Sequence, residues 1–292
     1  MTGEASPGYL PYPGVVQKMA ESQLESKLIT LGRNPMDRIW SSYKYNYINP
    51  AIEDLRRGSK KGVPKGKDDD YYKKHHLFSL EELVRAELDQ LYECFNNFGP
   101  NATRDLWYDQ TWTRSEFDRR QKHGLPPLID LDEVCYGKQI SSKVVRKQWE
   151  LLQTKNPEKY IQPKNAFLIQ ALIGRSIYVL PLEWWYIQFS SKQLLFVCTE
   201  ELSNATALLN VARQLGLPDY DFENVIANGA YNVGGHRGYD KATPWQEIDS
   251  EANTTGREEE IPLSKDLSKE LGDFLEPFNE RLFALVGKRC DW

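Results

Sequence analysis

Lys27-Leu28-Ile29-Thr30-Leu31-Gly32-Arg33-Asn34-Pro35-Met36-Asp37-Arg38-Ile39-Trp40-Ser41-Ser42-Tyr43 reads as a strand, a tight turn and a helix. Residues 27–31 are a short β-type apolar run, the pattern of a buried parallel strand. Asn34 suits a helix cap and Pro35 suits the first helical turn. The same pattern returns later. Gln193 to Cys198 is a second apolar run, ending at Thr199-Glu200-Glu201-Leu202. Asn204 then suits the cap of a helix with Leu208, Leu209, Val211, Ala212 and Leu215, closed by Gly216. Strand followed by helix, twice, predicts an α/β fold with a mainly parallel sheet.

Between these units, from about Asn49 to Pro163, the chain is largely helical. Ser79-Leu80-Glu81-Glu82 forms a capping box ahead of an apolar stripe at Leu80, Leu83, Val84, Leu88, Leu91, Cys94, Phe95 and Phe98. Arg56 to Lys74 is rich in Lys and Arg, broken by Gly, Pro and Asp68-Asp69-Asp70, and reads as a surface loop. It is either a solvated charged loop or a patch for an anionic substrate such as an acidic polysaccharide. Val15 to Leu24 has helical periodicity, and residues 166–189 read as helical. Ser264 caps a final helix that carries Leu267, Leu271, Phe274, Leu275, Phe278, Leu282 and Leu285, with Pro277 inside it.

Composition narrows the classes. The chain has 292 residues, 37 basic and 42 acidic side chains and a net charge of −5. The pI is about 5.6 and the mean hydropathy −0.62. That balance argues against general nucleic-acid binding. No apolar run approaches the roughly 20 residues of a membrane helix, and residues 1–7 have neither the basic nor the apolar part of a signal peptide. The four cysteines form no CxxC pair, so no structural metal site is expected, and their even number permits disulfides without assigning them. His75-His76 beside the three aspartates lacks ordered ligand spacing. Asn101, Asn204 and Asn253 each begin a glycosylation triplet, which permits a secretory lumen.

The chemistry concentrates at the first strand end. Ligands of open α/β sheets lie beyond the carboxyl ends of the strands, where a helix N-terminus offers amides to an anion. Arg33 adds a bidentate fork there, and Ser41, about two turns on, adds a hydroxyl. Together they suit a phosphate. They equally suit a structural role, with Arg33 on a carboxylate and Ser41 incidental. The stretch Gly229 to Lys241 is glycine-rich, and the amides of Gly234 and Gly235 with Arg237 suit a second phosphate contact or a plain turn-rich connection.

Arg33-Asn34-Pro35-x-Asp37-Arg38-x-x-Ser41-x-Tyr43 resembles the 3′-phosphate motif of sulfotransferases that use 3′-phosphoadenosine-5′-phosphosulfate (PAPS), most of all the Golgi carbohydrate and heparan-sulfate type. The resemblance continues through Glu4 to Leu10, Tyr178 to Trp185, Gln193 to Leu202, Leu215-Gly216-Leu217 and Leu271 to Trp292. It implies a P-loop-NTPase-like sulfotransferase fold as one domain over 1–292, with a helical insertion at about 49–163. It implies sulfuryl transfer from PAPS to a hydroxyl or amine of a carbohydrate acceptor, without a metal and without nucleic acid. Arg33 and Ser41 would hold the donor's 3′-phosphate. Tyr231, Gly234, Gly235 and Arg237 fall where the family folds a loop over the nucleotide, although the family's usual Lys and Gly-Phe-x-Cys are absent there. The implied location is the Golgi lumen, with the membrane anchor absent from this chain.

The family's first strand and its Lys-x-Gly-Thr-Thr phosphosulfate turn normally precede the Glu4–Leu10 segment. Lys65-Gly66-Lys67 does not replace that turn. The expectation is therefore an N-terminally truncated sulfotransferase with no identified catalytic base. The alternative is a non-catalytic nucleotide- or glycan-binding remnant.

Overall fold

Two strands, β1 (Leu28–Gly32) and β2 (Leu194–Cys198), pair in parallel with Leu28 opposite Leu194 and Gly32 opposite Cys198. A computed structural model describes residues 9–10, 13–22, 25–98, 151–160, 172–229 and 261–292. Helix α1 (Pro13–Ser22) precedes β1. Helix α2 (Pro35–Ser42) follows it, started by Asn34, whose side chain accepts from the Met36 amide, with Pro35 in the first turn. The architecture is mixed helix and sheet, with helices greatly outweighing the two-stranded parallel sheet among the described residues.

The chain then departs from the expected pattern. Residues Tyr43–Ile48 form a π-helical turn before α3 (Asn49–Arg57). The wider turn brings Tyr43 and Tyr47 inward together, their rings 5.6 Å apart. Tyr43 donates to the Phe78 carbonyl at 2.7 Å. Tyr47 donates to the Tyr160 carbonyl and accepts from the Phe78 amide, both at 2.8 Å.

The surface loop expected over Arg56 to Lys74 is only part loop. Gly58 ends α3 in the left-handed region, and α4 (Asp69–His76) begins at Asp68, which accepts from the Tyr71 amide. Tyr72, fully buried, and Tyr71, partly buried against the same core, dock this charged helix. His75 and His76 lie on α4 against the Tyr71 ring rather than in a ligand cluster.

Helix α5 (Leu80–Phe98) starts at the expected capping box. Ser79 Oγ accepts from the Glu82 amide, and the Glu82 carboxylate accepts from the Ser79 amide. After a 3-10 turn at Gly174–Ser176, α6 (Val179–Gln188) is apolar on nearly every side and buries Leu180, Leu182 and Trp184 completely. Helix α7 (Ala205–Gln214) follows β2 with Asn204 as its cap, and α8 (Glu223–Ala227) is short. Helix α9 (Lys265–Val286) is capped by Ser264 and runs through Pro277. The Glu183 carboxylate accepts two hydrogen bonds at 2.6 Å from Arg281, joining α6 to α9.

The core lies on one side of the sheet. Phe196 projects there against Tyr178 and Trp292, and Trp292 also meets Phe283 of α9. A disulfide between Cys198 and Cys290 fixes the chain's last residues to the end of β2. The opposite face corrects the expectation of a buried first strand. Ile29 is 42% and Leu31 51% exposed, because the described residues cover that face only beside β2, where α7 lies. Among the described residues, no helix is long and apolar enough to cross a membrane.

Candidate functional site

The carboxyl ends of the two strands place Gly32-Arg33 beside Cys198-Thr199. The Arg33 amide donates to the Tyr178 hydroxyl at 3.4 Å. Burial raises the Tyr178 pKa, and the charges of Arg38 and Arg33 pull it back, so it stays a neutral hydroxyl able to accept that amide. The Arg33 side chain is exposed, and no described residue pairs with it. The structural role weighed for Arg33, pairing with a carboxylate, therefore has no partner among the described residues. Ser41 is half-buried on α2, about 200° around the helix from the fully buried Ile39. Asp37, four residues earlier, shares that face.

The helix terminus itself is less available than its sequence suggests. Pro35 has no amide hydrogen. The Met36 amide donates to Asn34 Oδ1, and the Arg38 amide to the Asn34 carbonyl. Asp37 alone in the first turn keeps an amide with no acceptor among the described residues. An anion placed here would thus meet side-chain donors such as Arg33 and Ser41 rather than a row of free backbone donors.

Behind this surface sits a buried polar unit that sequence reasoning missed. Glu87 has no exposed surface, and its carboxylate accepts from the amides of Leu172, Ile173 and Gly174 at 2.7, 2.9 and 2.9 Å. Burial pushes the carboxyl up to about 7. The three amides and the Arg38 charge act in the opposite direction. Arg38 Nη1 donates to the Leu172 carbonyl at 2.8 Å and to Ser176 Oγ at 3.2 Å. Burial lowers the Arg38 pKa against the pull of Tyr178 and Glu87, and a guanidinium remains charged. So the second arginine of the 33–43 stretch is structural: it fixes α2 to the 172–176 turn, which Glu87 fixes to α5. The signal for Glu87 was its place on the apolar stripe of α5, between Val84 and Leu91, where a carboxylate needs a partner.

Beyond β2, Glu201 folds back so that its carboxylate accepts from the Cys198 amide at 2.8 Å and pairs with Lys288. Cys198, Glu200 and Cys290 lie close enough to share a cation, but the disulfide leaves no thiolate to bind one. A groove of about 300 Å³ between β2 and α7 is lined by Leu195, Val197, Glu201, Asn204 and Val211, and by none of the expected site residues. Tyr231, Gly234, Gly235 and Arg237 lie outside the described residues, as do Asn101 and Asn253. The structure therefore brings Arg33 and Ser41 to one strand-turn-helix unit and does not report on the glycine-rich stretch.

No protein-family model matches the chain, and no curated protein matches its sequence.

Proposed function

We propose that this chain is a PAPS-dependent sulfotransferase of the carbohydrate type, on a P-loop-like sulfotransferase fold, working in the Golgi lumen. The observation that carries the reading is the Arg33 guanidinium. It stands exposed at the carboxyl end of a parallel strand, unpaired with any described carboxylate, two residues before a helix. A partnerless guanidinium at that position suits the 3′-phosphate of the donor, which it would grip bidentately. Ser41 would add a hydroxyl donor, and Tyr231, Gly234, Gly235 and Arg237 would close over the nucleotide.

In the reaction the acceptor oxygen or nitrogen attacks sulfur in line. The sulfur–oxygen bond to the 5′-phosphate breaks, and the acceptor's proton passes to a base. Positioning and charge stabilisation dominate such transfers. The Arg38–Glu87 unit, with Glu87 fully buried, serves positioning, because it holds the helix that carries Ser41. No described residue is assigned as the base.

The test is a titration of the purified chain with 3′-phosphoadenosine-5′-phosphate, read as melting temperature. At about 100 times its dissociation constant the ligand adds roughly 2.7 kcal/mol of stability. The expected result is a rise that Arg33→Ala abolishes and that Arg33→Lys only partly restores, since an ammonium cannot reproduce the fork. A cooperative melt with no rise, or a rise unchanged in Arg33→Ala, removes the donor site. Binding without sulfate transfer to any carbohydrate acceptor would favour the non-catalytic binding role.

A further inference from the structure

We infer that Asn204 carries an N-linked glycan. The inference does not depend on the donor-site reading. It rests on a glycosylation triplet, its placement in the fold, and a disulfide six residues before it.

Asn204-Ala205-Thr206 is an acceptor triplet whose middle residue is not proline. Both Asn204 and Thr206 are exposed. Asn204 has extended backbone, with φ −113° and ψ 114°, between the 3-10 turn at Thr199–Ser203 and α7. Its side chain is polarised by its role as the cap. Oδ1 turns toward the helix and accepts from the Ala207 amide at 3.1 Å. Nδ2 therefore points away from the helix, and no described residue accepts a hydrogen bond from it. Nδ2 is the atom that glycosylation uses. The product keeps its carbonyl oxygen, so the cap survives modification.

The surroundings leave room. Asn204 stands on the rim of the groove between β2 and α7, about 300 Å³ in volume and open to solvent. The disulfide Cys198–Cys290 belongs to an oxidising compartment, which is where N-glycosylation occurs. The donor is an oligosaccharide carried on a polyprenyl diphosphate. Asn204 Nδ2 bonds to the anomeric carbon, the bond from that carbon to the diphosphate oxygen breaks, and the lipid diphosphate departs. The Nδ2 proton passes to the transferring enzyme. Nothing is oxidised or reduced.

The test uses the full chain behind a cleavable secretory leader in cultured animal cells. The leader-cleaved protein, cell-associated and secreted together, is digested and treated with peptide-N-glycosidase in heavy-oxygen water. The expected result is that most of the peptide containing residue 204 gains the heavy-oxygen Asn-to-Asp increment. Two variants remove it. Asn204→Asp keeps a good helix cap without the acceptor nitrogen. Thr206→Ala leaves the cap untouched and destroys the triplet, so it stands in should the first variant fold poorly. Recovery of the 204 peptide unmodified from the leader-cleaved wild-type chain overturns the inference. So does an increment at residue 204 that survives in Thr206→Ala.

Discussion

A carboxylate with no exposed surface must be held by something, and Glu87 is held by backbone. Three amides and the charge of Arg38 surround it, yet desolvation pushes its carboxyl from 4.5 up to about 7. A group whose folded pKa is raised stabilises the fold fully below its unfolded pKa, and that contribution is lost as pH rises through the folded one. Relative to Glu87→Gln, which stays neutral, the wild-type chain should therefore lose stability between about pH 4.5 and 7, by on the order of 3 kcal/mol. Urea unfolding of both proteins across that range measures it. A difference that stays flat, or that grows in favour of wild type with pH, would mean that Arg38 and the amides keep Glu87 ionised throughout. Arg33, on the strand-turn-helix unit that also carries Arg38, is the contrasting case. It is exposed and unpaired among the described residues, so Arg33→Ala should leave stability nearly unchanged, within about 0.5 kcal/mol, while removing ligand-induced stabilisation.

At the scale of elements, the β1–β2 pair depends on one close approach. A Cβ on Gly32 would lie 2.1 Å from Cζ of Phe196, on the strand it pairs with. Gly32→Ala must therefore displace the ring that packs against Tyr178 and Trp292, at a cost of roughly 1–3 kcal/mol. Phe196→Leu removes the ring tip, so the double variant should lose less than the sum of the two single losses. Strictly additive losses in chemical denaturation would show that the ring is not the obstacle. The two strands and the helix starts at Asn34, Ser79, Asn204 and Ser264 were legible in the sequence because a cap is a local device, written within about four residues. The placement of Arg33 at the end of β1 followed from the same local signals. What escaped were features decided elsewhere in the chain. Helix α4 is polar apart from Tyr71 and Tyr72, so no apolar stripe announces it, and its docking depends on those two rings meeting a core built elsewhere in the chain. The π-helical turn answers to Phe78 and Tyr160, both distant in sequence. The use of α2's own amides by Asn34 hid behind the same cap that identified the helix. The exposure of Ile29 and Leu31 reflects what covers the sheet, and their own apolar character could not reveal it.

Across the whole molecule, the disulfide does what the small sheet cannot. Two five-residue strands have few ladder bonds, and one face of the pair is partly open to solvent. The other face is closed by the end of the chain, where Trp292 packs against Tyr178, Phe196 and Phe283. Cys198–Cys290 ties that terminal segment to β2 across a sequence separation of 92 residues. A crosslink of that span restricts the unfolded chain strongly, and the chain-entropy relation puts its worth at about 4.6 kcal/mol. Lys288 and Glu201 pair beside it, so the terminus has a second, weaker tie that does not depend on oxidation. Cys290→Ser should therefore leave a folded chain that melts earlier, with Trp292 fluorescence shifted toward that of a solvated indole. Cys198→Ser should lose a similar amount, and the double variant no more than either single one, because both changes break the same bond. The tie also bears on the candidate site. Tyr178 accepts the Arg33 amide on one side and touches Trp292 on the other, so releasing the terminus loosens the residue behind Arg33. Reduction should then weaken 3′-phosphoadenosine-5′-phosphate binding in the wild-type chain and leave Cys290→Ser unaffected. Equal affinity in oxidised and reduced wild-type protein would show that the terminus stabilises the fold without shaping the site.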